Sequence, residues 1–290
     1  MNAALSFSAI IGFSFLFTKV ALGYASPLTS LAHRYTIAAS VLVILHPTKL
    51  INVSLSRKDI LSMSLFYPLL FFIFQSFALQ YISSSEAGIL QALVPIFTLL
   101  LVSVFLKEKT SLLQKFFLIL SVSGVVFIFF SKGTNFSTET ASLGFLLMLG
   151  SVLANAINNI LSKAKGGRYR AMDMTAVVIF VGFITFNTLS LTSHYLEGNI
   201  LAYFAPFGQL PYLLSILYLG VLASIVTGSL SIYAIVRLGA STVSVFGNLG
   251  TVLTILAGAL ILHEPICGYH VIGAVLIISG ILGMNLMRKK

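Results

Sequence analysis

The stretch "ALQYISSSEAGILQALVPIFTLLLVSVFLKEKTSLLQKFFLILSVSGVVF" (residues 78–127) decides the fold. Two long apolar runs flank one charged triplet, Lys107-Glu108-Lys109. Strands of a membrane barrel need alternating apolar and polar residues. The run "GILQALVPIFTLLLVSVFL" does not alternate. As a helix, about 20 such residues cross a bilayer core of roughly 30 Å. Outward from this stretch, similar runs cover roughly 3–22, 27–46, 60–81, 84–106, 112–130, 141–162, 173–193, 212–236, 241–262 and 269–287. The fold expected is therefore an all-α integral membrane protein of ten transmembrane helices. Composition agrees: 58% of residues are hydrophobic, 8% are charged, and mean hydropathy is +1.04. A soluble domain has roughly a quarter of its residues charged, so most of this surface faces lipid.

The net charge of +10 has a topological reading. Ten spans put both termini on one side. Taking the side of the terminal "MRKK" as the inside, fourteen of the 17 Lys and Arg fall in inner loops and ends, and only Lys132 in an outer loop. Short loops rich in cations stay cytoplasmic, so the expectation is a multi-pass plasma-membrane protein with both termini in the cytoplasm. The cations then face anionic lipid, and nucleic acid is not needed to explain them. The first apolar run has no basic start, which argues against a removable signal peptide. One cysteine, Cys267, excludes an intramolecular disulfide. No glycine-rich phosphate loop, metal-spaced His or Cys cluster, or nucleophile motif is present, so no enzyme activity, cofactor or metal is expected.

The opening stretch is also written a second time. At an offset of 156 positions it lies over "AIVRLGASTVSVFGNLGTVLTILAGALILHEPICGYHVIGAVLIISGILG" (residues 234–283) without a gap. Ser85/Ser241, Thr98/Thr254, Glu108/Glu264, Ser123/Ser279 and Gly124/Gly280 coincide. Residues 1–133 and 134–290 thus read as two units of five spans each. Five is odd, so the second unit enters the membrane from the opposite side. Such inverted repeats can expose a site near the midplane to each side in turn. Glu108 and Glu264 sit at helix edges and read as structural hinges of the repeat.

Two stretches resemble a known family. "LYLGVLASIVTGSLSIYAIVRLGASTVSVFGNLGTVLTILAGALILHEPICGYHVIGAVLIISG" (residues 217–280) is similar to the second repeat of the EamA family of the drug/metabolite transporter superfamily. "FSFLFTKVAL" and "SPLTSLAHRYTIAAS" resemble its first two spans, including the Lys of span 1 and the Arg of span 2. Two departures stand out. Thr251 occupies the usual proline position of span 9, although Pro95 keeps it in span 4; Phe13 replaces the usual Trp, and the chain has no Trp. The resemblance implies peripheral spans 5 and 10, and export of amino acids or similar metabolites.

Polar side chains in a lipid-embedded bundle belong inside, against another helix or a watery cavity. Span 6 carries Ser151, Asn155, Asn158 and Ser162 on one stripe. Span 8 carries Ser224, Thr227 and Ser231; span 9 carries Asn248 and Thr251; span 4 carries Gln91 and Thr98. Spans 1 and 3 add Ser14, Tyr67 and Gln75. Each stripe serves either helix packing or a cavity. The cations Lys19 and Arg34 either snorkel to headgroups or line an outward vestibule that attracts an anion, with Glu86 as a possible partner. No Asp or Glu lies deep in a span, which disfavours exchange of a cationic drug for a proton at a buried carboxylate; His33 is the remaining titratable candidate.

The candidate cavity residues are thus Ser14, Lys19, Arg34, Tyr67, Gln75, Gln91, Asn155, Asn158, Ser224, Thr227, Ser231 and Asn248. The function expected is secondary transport of a small polar or zwitterionic metabolite by alternating access, in a monomer or homodimer. Two alternatives stay open. Uptake of choline or another quaternary amine would need Tyr67, Tyr233 and phenylalanines in one pocket. A non-transporting scaffold or sensor would have a solidly packed centre.

Overall fold

The computed structural model describes residues 2–45, 57–105, 111–131, 139–165, 168–238, 240–263 and 267–288. Among them every regular element is helical. Glu108 and Glu264, the proposed hinges, lie outside the described residues, as does Lys132. Among the described residues, six helices are long and apolar enough to cross a membrane: Pro27–Leu45, Ser62–Tyr81, Ser84–Leu101, Ser142–Lys165, Ala171–Leu196 and Leu210–Leu238. Ser6–Leu22 and Gly268–Gly280 are apolar but shorter.

Helix α1 (Asn2–Leu22) is followed by α2 (Pro27–Leu45). Next, α3 (Arg57–Ser64) passes through a wide π-helical turn, Leu65–Leu70, into α4 (Phe71–Tyr81). The cause of this break is local. A residue before proline is pushed out of the helical region, and Tyr67, ahead of Pro68, is extended at φ −142° and ψ 111°. Helices α5 (Ser84–Gln91) and α6 (Val94–Phe105) are separated at residues 92–93. Pro95 explains that gap, since it has no N–H to give to the carbonyl of Gln91. Then come α7 (Leu112–Ser131), α8 (Glu139–Lys165) and α9 (Ala171–Leu196). Two 3-10 turns, Ile200–Tyr203 and Ala205–Gly208, lead into α10 (Leu210–Leu217). A second π-helical segment, Tyr218–Val226, joins α10 to α11 (Thr227–Leu238), and α12 (Ala240–Ile261) and α13 (Gly268–Arg288) end the described chain. Thr251, which stands at the repeat position of Pro95, keeps its N–H and leaves α12 unbroken.

Helix contacts recur in pairs. α1 packs on α12 as α8 packs on α5 and α6; α4 packs on α8 as α1 packs on α10 and α11; α9 touches the Leu65–Leu70 turn as α2 touches Tyr218–Val226. α2 with α9, α5 with α12, and α7 with α13 pair across the middle of this scheme. α7 and α13 pack chiefly on each other, which is the peripheral placement that the family resemblance implies. Their repeat glycines Gly124, Gly273 and Gly280 are buried.

Lipid gives no hydrophobic drive between helices, so small residues and close hydroxyl contacts hold them together. The α5–α12 seam shows how. Thr251 Oγ1 donates to the carbonyl of Gly88 at 3.0 Å, and Thr254 Oγ1 donates to the carbonyl of Gly12 on α1 at 2.7 Å. A Cβ on Gly88 would lie 2.8 Å from Thr254 Cγ2, so only glycine allows this approach. Gly88→Val is therefore expected to separate α5 from α12 and lower stability by about 1–3 kcal/mol, the usual scale of overpacking. Thermal unfolding in detergent measures it. Gly268→Ala, which meets nothing within 4 Å, is expected to leave the midpoint unchanged.

Candidate functional site

A cavity of about 70 Å³ lies inside the bundle. A single water needs only about 10–15 Å³ by this measure, so there is room for several waters or a small solute. Its polar wall comes from Asn155, Asn158 and Asn159 on α8, Thr175 on α9, and Ser224, Thr227 and Ser231 along the Tyr218–Val226 segment and α11. Tyr35 and Tyr67 face it, and Phe7, Ile11, Met63, Phe71, Val178, Ile179 and Ile232 complete the lining. Both π-helical breaks therefore border the cavity, one through Tyr67 and the other through Ser224. They also correspond under the repeat offset, which carries Pro68 onto Ser224.

The widened Tyr218–Val226 segment mends its own ladder. Ser224 Oγ donates to the Leu219 carbonyl at 2.8 Å, and Thr227 Oγ1 donates to the Leu222 carbonyl at 2.9 Å. Gly220 lets α2 close in, because a Cβ there would lie 2.9 Å from the Arg34 carbonyl oxygen. The approach brings the Arg34 guanidinium onto the segment. Its Nε donates to Ser224 Oγ at 2.8 Å and an Nη to the Ala223 carbonyl at 3.4 Å, with the Phe72 ring 4.1 Å beneath it. Arg34 is 3% exposed.

Two side-chain clusters outside this lining sit at opposite ends of α9. At the end formed by the start of α2 and the end of α9, His33 is covered by Phe207 and Tyr203, with ring centroids 4.1 Å and 4.5 Å away, and its Nδ1 bonds Tyr212 Oη at 2.6 Å. Thr29 adds hydrogen bonds to Ser190 and His194, both 3.0 Å. Tyr203 Oη donates to Asn187 Oδ1. Burial pushes the Tyr203 phenol up from its ordinary pKa, so it remains the proton donor in that bond. At the opposite end, Asp59 on α3 pairs with Lys165 at 2.8 Å and accepts from Tyr169 Oη at 2.8 Å. Beneath it, Met63, Met174 and Ile232 from three helices pack together.

This helical arrangement has known counterparts. The sequence matches the EamA-like transporter family twice, over residues 2–130 and 142–286. The chain belongs to that family. The transporter YcxC of Bacillus subtilis (strain 168), named as uncharacterized, is 43% identical over 292 residues, covering 99% of this chain and 93% of its own. An uncharacterized transporter of Archaeoglobus fulgidus is 25% identical over 273 residues, covering 93% and 92%. One solved crystal structure shares the fold at a TM-score of 0.69 with 17% identity, covering 99% of this chain and 96% of that one. The EamA-family protein is thus a multi-pass membrane protein whose solvent is the bilayer, and a transporter rather than an enzyme.

Of the residues singled out from sequence, Tyr67, Asn155, Asn158, Ser224, Thr227 and Ser231 meet at the cavity. Arg34 stands directly behind its Ser224 wall, buried, and neither snorkels nor lines an outer vestibule. The half-buried Lys19 donates from its Nζ to the carbonyls of Leu79 and Ile82 and so caps the end of α4. Glu86 stands at the start of α5. It closes a capping box with Ser83, accepting from the Ser83 N–H at 2.9 Å while its own N–H reaches Ser83 Oγ at 3.1 Å. Ser14 bonds the Ile11 carbonyl of its own helix. Gln75 and Gln91 lie away from this lining, and the side chain of Asn248 is outside the described residues. Asn159 and Thr175 were missed. Asn159 sits beside the α8 stripe, and no sequence pattern marked Thr175, whose hydroxyl also serves the Ala171 carbonyl.

Asp59→Asn is expected to release Lys165 and loosen that end. A cysteine at Met63, in a Cys267→Ser background, should react several-fold faster with a water-soluble thiol reagent, while stability falls by about 1 kcal/mol or less. Labelling rate and melting temperature check the two parts separately.

Proposed function

We propose that this EamA-family protein is a secondary transporter that moves a small polar metabolite by alternating access, exporting amino acids or related compounds. Its architecture in this reading is ten transmembrane helices in two inverted five-helix repeats, residues 1–133 and 134–290. Three findings support that architecture: the family matches twice, helix contacts recur in pairs, and the two helix breaks correspond under the repeat offset. The sorting of Lys and Arg supports cytoplasmic termini in the plasma membrane and assigns the Asp59–Lys165 end to the inside.

The observation that carries the reading is the cavity between the two breaks, with amides and hydroxyls set among its apolar side chains. Corresponding interrupted helices in two halves mark the binding sites of transporters built from repeats. The Asn155 and Asn158 amides make no hydrogen bond to protein among the described residues, so they are available to a solute. A scaffold would fill this space; here it is open. Choline uptake is less well supported, because Tyr233 is 49% exposed and packs near Arg237 rather than joining Tyr67. Export as the direction rests on the family resemblance.

In proteoliposomes, counterflow of labelled amino acids should proceed through the unaltered chain. Asn155→Leu and Asn158→Leu are each expected to lower flux about tenfold, the scale of a lost buried hydrogen bond, with insertion and melting temperature retained. Normal flux in both variants would move the substrate path elsewhere.

A further inference from the structure

We propose that His33 is a proton-binding site beneath a movable strap, residues 199–209, and that a proton on its imidazole and the seated strap exclude one another. Acid on that side of the protein lifts the strap, and neutral pH seats it. On the orientation proposed above, that side is the outside. The inference goes beyond the transporter reading and needs no solute.

The strap consists of the two 3-10 turns Ile200–Tyr203 and Ala205–Gly208, which join α9 to α10. Turns this short add little stability of their own. The strap leaves α9 through Gly198, whose φ of 71° favours glycine. Few of its side chains hold it down. Leu201 and Phe204 are 77% and 58% exposed, whereas Tyr203 and Pro206 are buried. Tyr203 Oη donates to Asn187 Oδ1 on α9, and Asn187 Nδ2 donates to Thr36 Oγ1 on α2 at 3.0 Å. Thr36 follows Tyr35, which faces the cavity, so the strap is tied to the α2–α9 seam beside the cavity wall.

His33 is what the strap covers. It is 1% exposed, its Nδ1 bonds Tyr212 Oη at 2.6 Å, and its Nε2 is buried without a hydrogen-bond partner. A neutral imidazole has one N–H and a cationic one has two. Tyr212, which can donate or accept, serves Nδ1 of the neutral ring in either tautomer. A cation would instead point a charged N–H from Nε2 into the covered space, and a buried charge without a partner is far costlier than a buried neutral nitrogen.

The surrounding groups do not offset that cost. Tyr212 comes from α10, with Tyr24 edge-on behind it, and Tyr203 from the strap; both phenols are neutral. The backbone of Tyr203 is the polar group that the strap brings to the imidazole, and it leaves with the strap. From α9 comes His194, a second imidazole, bonded to Thr29. Glu197 lies 3.9 Å from His194 Nδ1, is largely exposed, and so serves His194. Arg34, the neighbour on α2, is another cation and is turned onto Ser224. Among the described residues no carboxylate bonds His33. Lifting the strap removes the Tyr203 and Phe207 rings and gives Nε2 to water, which solvates the cation. The seated strap is therefore stable where the ring is neutral. That stability is lost as pH falls through about 6.5, where a water-exposed imidazole takes up its proton.

The test follows hydrogen–deuterium exchange of the purified full chain in lipid nanodiscs, corrected for the intrinsic rate at each pH. From about pH 7.5 to about pH 5.5, exchange of the backbone amides of residues 199–209 should rise about tenfold, the change expected for one proton on a water-exposed imidazole. His33→Gln can still bond Tyr212 but takes no proton, so its strap should exchange at one rate across that range. His194→Gln and Glu197→Gln should each keep most of the rise. Exchange that stays flat or slows on acidification of the unaltered chain overturns the proposal, and so does a His33→Gln variant that keeps the rise. Should His33→Gln fail to insert, the other two variants decide. A rise that survives in both leaves His33 as the site of the proton, and a rise lost in either overturns it. Transport itself stands or falls separately, by the counterflow measurement above.

Discussion

A helix that opens its hydrogen-bond ladder inside a bilayer has no water to mend it, so each released carbonyl must find a donor within the protein. This constraint organises the EamA-family chain described above. Its helices open at the Leu65–Leu70 turn, at residues 92–93 and along Tyr218–Val226, and a side chain donates to a carbonyl beside each: Ser151 to Phe71, Thr251 to Gly88 and Ser224 to Leu219. Ser224 and Thr227 mend the second π-segment from within, and Arg34 reaches it from α2. Lys19 reaches from α1 to the last carbonyls of α4. Two cations that looked like surface features therefore hold helix ends and breaks together.

The sequence was most legible where a polar group contradicted its apolar surroundings with helical spacing. Asn155 and Asn158 on α8, and Ser224, Thr227 and Ser231 along the eighth apolar run, fall on the cavity because each stripe has only one face on which to avoid lipid. Helix breaks were legible only through proline. Pro68 and Pro95 stand at two of them, and Thr251, at the repeat position of Pro95, leaves α12 continuous. Nothing local announced the Tyr218–Val226 widening. Arg34 was misplaced for a non-local reason: the segment after Glu197 folds back and seats Tyr203 and Phe207 on His33, which closes the end of α2 that looked open. The capping role of Glu86 was legible too, since Ser83 three residues before it is a helix-start signature.

The two clusters at the ends of α9 differ in chemistry. Aromatic rings and an imidazole pack together at the His33 end. The opposite end is held by one carboxylate shared among Lys165, Tyr169 and Arg168, with Arg168 at 3.9 Å and largely exposed. Water can compete for such a pair more readily than for a buried ring cluster. Alternating access, as proposed above, requires opening at one end to be coupled to closure at the other, and α9 is the element that runs between the two clusters.

A neutral lining with one cation behind it also bears on release. A site that moves its solute must favour entry without holding the solute fast, and a ring of fixed charges would trap any anion that matched it. Here the Arg34 charge is turned onto Ser224 Oγ, Ala223 and the face of Phe72, so the lining itself offers only neutral groups. Those partners belong to α4 and to the Tyr218–Val226 segment, so the cation of α2 ties three elements together behind a wall that stays uncharged.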